Sequence, residues 1–285
     1  MRVASHAKVN LHLQVVGKRS DGFHELRTIF QSIDLHDELE VELAPAGVSL
    51  EVTGAALDAG PGNLAHRAAT RFLERWAPGK GVRIRLDKRI PMGGGLGGGS
   101  SNAAAVLRAL QHLLGEPAPG GELWELARGL GADVPYFLVG GTALGVGRGD
   151  EILPLPELPE RELLLALPPV HVSTAEVFAV VTELTPERLD ARISHLVQRG
   201  NLGWEAIVHA TNDLEGPVFR RWPELAAIHA ELVSAGAVSR LSGSGAAIWA
   251  LFDGRQPPDL ERRLPAEIRL TRVRTVTRVA FAGAR

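Results

Sequence analysis

The stretch from Gly93 to Gly99 constrains this 285-residue chain more than any other, because six of its seven residues are glycine and Leu96 is the exception. Backbone without Cβ atoms is left uncovered, and its amide groups can turn into one concavity that suits an anion. A helical pattern follows directly. Ala103, Val106, Leu107, Leu110 and Leu114 recur at spacings of three and four, and Gly115 and Pro117 end the run. Ser100, Ser101 and Asn102 stand at its start and read as N-capping side chains. A glycine loop feeding a helix brings free N–H groups and a positive dipole end to the same place, which favours phosphate. A flexible linker is the plainer alternative, but linkers do not run straight into capped amphipathic helices.

Two familiar phosphate loops do not fit. A Walker A loop ends in Gly-Lys-Ser or Gly-Lys-Thr, and no lysine lies in this one. Gly93, Gly95 and Gly98 match the dinucleotide spacing, which also needs a second strand bearing an acidic residue about 20 residues on. That place holds Gly115-Glu116-Pro117-Ala118-Pro119-Gly120-Gly121, which cannot be a buried strand.

The rest of the chain narrows the function classes. With 31 Lys and Arg against 33 Asp and Glu, no broad electrostatic footprint for nucleic acid or anionic membrane is expected. There is no cysteine, which excludes disulfides, thiolate metal sites and a cysteine nucleophile. The histidines show no zinc-binding spacing, so no metal-ligating residue is assigned. Met1 to Val16 is broken by His6, Lys8, Asn10 and His12 and is not read as a signal peptide. No apolar run approaches the roughly 20 residues that span a bilayer. A cytoplasmic location is the expectation.

Val3, Ala7, Val9, Leu11, Leu13 and Val15 alternate with Lys8, Asn10, His12 and Gln14, so a strand is predicted with one apolar and one polar face. Asp21-Gly22 signals a turn, and Asp37 to Leu43 alternates again as a strand. Asn63 to Trp76 and Glu122 to Leu130 read as helices, Val82 to Leu86 as a short strand. Prolines from Pro154 to Pro169 surround the apolar strand Leu163 to Leu167, and a boundary is placed there, between residues 1–155 and 156–285. A helix near Trp222 to Ala235, the turn Ser242-Gly243-Ser244-Gly245 and a strand from Ala246 to Phe252 follow. The class is α+β with two lobes.

These residues also carry a resemblance. Ala7-Lys8-Val9-Asn10-Leu11, Asp21-Gly22-Phe23-His24, Pro91-Met92-Gly93-Gly94-Gly95-Leu96-Gly97-Gly98-Gly99-Ser100-Ser101, Gly131-Ala132-Asp133-Val134-Pro135, Asn212-Asp213-Leu214-Glu215 and Leu241-Ser242-Gly243-Ser244-Gly245 together resemble the superfamily of galactokinase, homoserine kinase, mevalonate kinase and phosphomevalonate kinase. Within it the match is closest to the kinases that act on a cytidine diphosphate-linked methylerythritol. The resemblance implies the two-lobed GHMP kinase fold, with a ribosomal-protein-like βαβ domain and a ferredoxin-like domain. Residues 1–155 would be the ATP-binding lobe and 156–285 the substrate-binding lobe. ATP and Mg²⁺ are the implied cofactors. The partner would be a small molecule, with no nucleic acid or membrane, and the protein a monomer or weak homodimer.

Residue roles follow from the same source. On periodicity alone Lys8 reads equally as a solvated strand residue or as a cation facing a cleft. The resemblance places it in the active site, where it would stabilise the transferred phosphoryl group and keep a carboxylate ionised. Asp133, after a glycine-terminated helix, reads as a capping aspartate. The resemblance makes it the base that accepts the proton of the acceptor hydroxyl. Ser100 and Ser101 read as caps or as hydroxyls for phosphate or Mg²⁺. Asn63 and Lys88 are assigned to the adenine end beside Leu64 and Met92, and Asn63 reads equally as an N-cap. Asn10, Phe23 and His24 are assigned to the acceptor, with an aromatic face for a cytosine. Phe23 stands where many relatives have tyrosine, so stacking survives and a phenolic hydrogen bond does not. Phe178 is a candidate for the other ring face or a core residue. A sibling kinase acting on homoserine, mevalonate or a sugar, and a non-catalytic nucleotide-binding module, are the alternatives.

Overall fold

The computed structural model describes residues 1–181, 202–254, 257 and 259–283. Two long strands organise it. β1 (Arg2–Lys18) pairs antiparallel with β2 (His24–Ala44), from Arg2 opposite Glu40 to Lys18 opposite His24. The turn expected at Asp21-Gly22 joins them, and the Phe23 N–H donates to Asp21 Oδ1 at 3.1 Å. β2 starts well before the predicted Asp37, because β1 offers it a hydrogen-bonding partner along its whole length.

β3 (Gly47–Thr53), β4 (Gly81–Asp87), β5 (Thr142–Val146) and β6 (Glu151–Pro154) complete the first sheet, in the order β3-β4-β2-β5-β6 with β1 on β2. Only β3 and β4 run parallel. On one face lie α1 (Leu64–Trp76), α2 (Gly98–Leu113) and α3 (Gly120–Leu130). Their apolar stripes meet the sheet at Val41, Ile84, Phe72, Val106 and Leu110, all fully buried. Burying a side chain of that size contributes about 1.5–3 kcal/mol.

The second sheet has β7 (Glu162–Leu167), β8 (Ala237–Leu241), β9 (Ile248–Phe252) and β10 (Arg269–Arg274) in the order β10-β7-β9-β8, antiparallel throughout. That fourth-first-third-second order is the ferredoxin-like arrangement expected. Helices Glu215–Arg221 and Pro223–Ser234 cover one face. Against the other come Ala7, Val9 and Leu11 of β1, which pack with Leu165 and Trp249. β1 therefore belongs to both layers. It is also bonded there: Leu13 N–H donates to Thr211 O and Asp213 N–H to Leu13 O, each at 2.9 Å.

The alternation in β1 has an outcome that periodicity does not reveal. Its polar face is buried as thoroughly as its apolar one, Lys8 and Asn10 each being 3% exposed. Register shifts between His6 and Lys8 and between Asn10 and His12 mark bulges, which re-aim side chains. Two boundaries also differ from expectation. α2 begins at Gly98, with left-handed Gly97 (φ 72°) in the cap position and no side-chain cap. The proposed caps are used elsewhere: Ser101 Oγ donates to His6 O at 2.6 Å, and Ser5 Oγ lies 2.8 Å from Asn102 Oδ1. β9 starts at Ile248 and not at Ala246, because the amides of Ala246 and Ala247 donate to Gly93 O and Gly94 O at 3.2 and 3.1 Å. Among the described residues no helix is long and apolar enough to cross a membrane.

Candidate active site

The glycine loop is shaped by close backbone approaches. A Cβ on Gly95 (φ 69°) would run into the Ser242 carbonyl oxygen, and one on Gly97 would lie 2.7 Å from the Phe137 ring and 3.3 Å from Lys8 Cε. Ser242 Oγ donates to Gly95 O at 2.9 Å, so the second glycine turn is tied to the first. Asn212 anchors that second turn, its Nδ2 donating to Leu241 O at 3.0 Å and Gly243 O at 2.8 Å. Glu215 accepts the Leu241 N–H at 2.9 Å. Burial pushes the Glu215 carboxyl up to about 7, against the opposing pull of that amide and of Arg240.

Lys8 enters beneath the loop. Its amide donates to Leu96 O at 3.0 Å, and its Nζ donates to Asn10 Oδ1 at 2.5 Å. Asn10 is held in turn by donating to Thr28 Oγ1 at 2.7 Å. The ammonium lies 5.5 Å from the centroid of the Phe30 ring. Its ion-pair partner is Asp133 Oδ2 at 3.6 Å, beyond hydrogen-bonding length. Burial pushes the Lys8 ammonium below the ordinary lysine range, and the negative charge of Asp133 opposes that shift. Asp133 is one-third exposed while Lys8 is sealed, so the carboxylate forms the solvent side of the pair. The capping role read for Asp133 does not occur: Pro135 holds the cap position of the next helical turn, α4 (Tyr136–Val139), which has no side-chain cap bond.

The other assigned residues fall into three groups. Lys8, Asp133, Gly93 to Gly99 and Ser100 gather around the N-terminus of α2, with Asn10 behind Lys8. Pro91 and Met92 lead into the loop, Met92 with 52% of its surface exposed. Lys88 is different in kind: its Nζ is buried, 2.8 Å from Asp37 Oδ2 and 2.6 Å from Ile90 O. Asn63 caps α1, accepting the Ala65 N–H at 2.9 Å and donating to Asp58 O at 2.8 Å.

At the hairpin tip Phe23 is exposed, and His24 stacks on Phe178 with centroids 5.1 Å apart. Phe178, on α5 (Thr174–Ala179), is only half-buried, so it is neither a sealed core residue nor free. Arg148, in the β5–β6 turn, lies 4.9 Å over the Phe23 ring. Sequence reading misses it, since one arginine between two glycines carries no local signal. His171 is missed as well, although a Cβ on Gly93 would fall 2.5 Å from its Nδ1.

Residues 63–141 match the family model described as the GHMP kinases N terminal domain. The chain is 44% identical to 4-diphosphocytidyl-2-C-methyl-D-erythritol kinase of Solibacter usitatus (strain Ellin6076), over 87% of this chain and 80% of that one. It is 41% identical to the kinase of the same name from Pelotomaculum thermopropionicum, over 94% and 96% of the two chains. A crystal structure of 4-(cytidine 5'-diphospho)-2C-methyl-D-erythritol kinase superposes with a TM-score of 0.77 at 40% identity, covering 96% of this chain and 99% of that one. Homoserine kinase from Cytophaga hutchinsonii, at 21% identity and a TM-score of 0.71 over 97% and 94% of the chains, shares the fold.

Proposed function

Because the chain belongs to the 4-diphosphocytidyl-2-C-methyl-D-erythritol kinase family of GHMP kinases, we propose that it transfers the γ-phosphoryl group of ATP to the 2-hydroxyl of 4-diphosphocytidyl-2-C-methyl-D-erythritol. The products are the 2-phosphate and ADP, and the reaction belongs to the non-mevalonate isoprenoid route. The observation that carries the chemistry is the convergence of Lys8 and Asp133, 3.6 Å apart, at the mouth of the glycine loop.

Each group has a task. The bare loop amides and the first turn of α2 bind the triphosphate. The acceptor oxygen attacks the γ-phosphorus while its proton passes to the Asp133 carboxylate. The bond to the β–γ bridging oxygen breaks, and its electron pair leaves with ADP. Lys8, held by Asn10, offsets the negative charge at the transferring group. Carboxylates are weak bases in general, so positioning supplies much of the rate. Among the described residues no three His, Cys, Asp or Glu side chains cluster to hold a metal. Mg²⁺ would therefore arrive on the phosphates, with the Ser100 hydroxyl as an added oxygen ligand, and would neutralise charge on the β and γ oxygens.

An ADP-release assay tests this reading with four acceptors: the cytidyl compound, homoserine, mevalonate and a hexose. Turnover on the cytidyl compound alone is expected. Activity on another alcohol and none on this one would assign the site to a sibling kinase. ATP binding with no ADP release on any acceptor would leave a non-catalytic nucleotide-binding module.

A further inference from the structure

The β5–β6 turn holds a cation in a fixed place beside the hairpin that carries Phe23 and His24. Arg148 is gripped by Asp150, its Nη2 donating to Oδ2 at 2.6 Å and its Nε to the same oxygen at 3.2 Å. The Arg148 N–H also donates to Asp150 Oδ1 at 3.2 Å. Asp150 is 7% exposed, so the fork is anchored from inside the protein. Two further bonds join this turn to the hairpin. Leu26 N–H donates to Gly147 O at 2.7 Å, and Gly147 N–H donates to Glu25 Oε1 at 3.2 Å.

The guanidinium so fixed lies over one face of Phe23, 4.9 Å from the ring centroid, while 54% of Phe23 remains exposed. An exposed aromatic side chain normally samples several rotamers, and a stacked guanidinium removes part of that freedom while leaving the other ring face open. A planar base would find that face already oriented. The same charge favours the approach of an acceptor that carries a diphosphate.

We propose that Arg148 is a positioning and specificity residue for the nucleoside diphosphate end of the acceptor, acting by holding the Phe23 ring and by presenting a fixed positive charge beside it. This rests on the reading that the acceptor's base docks at the β1–β2 hairpin. Arg148 does not touch the reacting atoms, so its effect falls on acceptor affinity and leaves the chemical step alone.

Steady-state kinetics with Arg148→Gln, Arg148→Lys, Phe23→Ala and His24→Ala test the proposal, each variant checked for an unchanged melting temperature. Arg148→Gln should raise KM for the cytidyl acceptor by about three- to tenfold, the range of a cation–π contact plus a steering charge. It should leave kcat and KM for ATP within about twofold, and salt should weaken acceptor binding less than in the wild type. Arg148→Lys, which keeps the charge and loses the planar fork, should recover part of the loss. An unchanged acceptor KM in Arg148→Gln while Phe23→Ala and His24→Ala raise it would overturn the role of Arg148 and keep the hairpin as the acceptor site. Unchanged acceptor KM in all four variants would overturn both. Equal changes in kcat and both KM values in Arg148→Gln, without rescue by lysine, would reduce Arg148 to a structural turn residue.

Discussion

Two lysine–aspartate pairs flank the glycine loop, and they are built to opposite ends. Lys88 and Asp37 sit 2.8 Å apart with side chains 3% and 0% exposed. Asp37 has its other oxygen filled by the Arg89 and Ile90 amides, each at 2.7 Å. Lys8 and Asp133 stand 3.6 Å apart, with the aspartate one-third open to solvent. In the first pair both carboxylate oxygens are hydrogen-bonded within the protein, and neither group is open to a substrate. In the second pair one group is locked and the other has room to accept a proton. Residue type does not separate a sealed ion pair from one that opens to solvent. What separates them is how completely the protein satisfies them.

The contrast can be broken at either end. The largest effect is expected from Asp37→Ala, which leaves a buried ammonium and two buried amides without their acceptor. A loss of about 3–5 kcal/mol in denaturant unfolding is predicted, and a loss below 1 kcal/mol would mean the pair is not holding the strand that leads into the loop. Lys8→Met, close to the same length, should lower kcat by about a hundredfold and change stability little, because it also removes a charge that burial disfavours. If unfolding moves as far as in Asp37→Ala, the two pairs are alike and the comparison fails.

Glu215 sharpens the contrast, being a buried carboxyl whose acceptor bond goes to an amide. Its folded pKa of about 7 stands above the ordinary value of 4.5, so the folded state holds the proton more tightly than the unfolded chain. That contribution is complete below about pH 4.5 and is lost as pH rises through about 7. Stability should fall by about 1–3 kcal/mol across that window in the wild type, and Glu215→Gln should flatten the profile over the same range. A wild-type profile already flat there would place the titration elsewhere.

The smallest effect belongs to Asn63, assigned with Lys88 to the nucleotide end. As an N-cap its replacement by alanine should cost about 1 kcal/mol of stability. A rise in KM for ATP beyond what that loss explains would show that the cap also touches the nucleotide.

Much of the fold was legible. The alternation of β1, the helix after the glycine run and the strand Leu163 to Leu167 each follow from local pattern, and the motif set pointed to the two sheets. The burial of Lys8 and Asn10 was not legible, because what covers them is distant in sequence: the glycine loop at Gly97, the Phe30 ring and the turn at Gly243. The caps of α2 were misread because Ser101 and Asn102 have long-range partners on β1 that outweigh a local cap. The sealing of Lys88, assigned to the adenine end, was not legible because Asp37, its partner, lies about fifty positions earlier. Arg148 acquires meaning only when a turn between two other strands folds back over Phe23.

The central claim is that the open carboxylate does chemistry and the sealed one does not. Single-turnover phosphoryl transfer to the cytidyl acceptor by Asp133→Asn, read beside its unfolding curve, tests it most directly. The account predicts a rate at least about a hundredfold below wild type with stability within about 1 kcal/mol. A transfer rate close to wild type in a folded Asp133→Asn protein would contradict it.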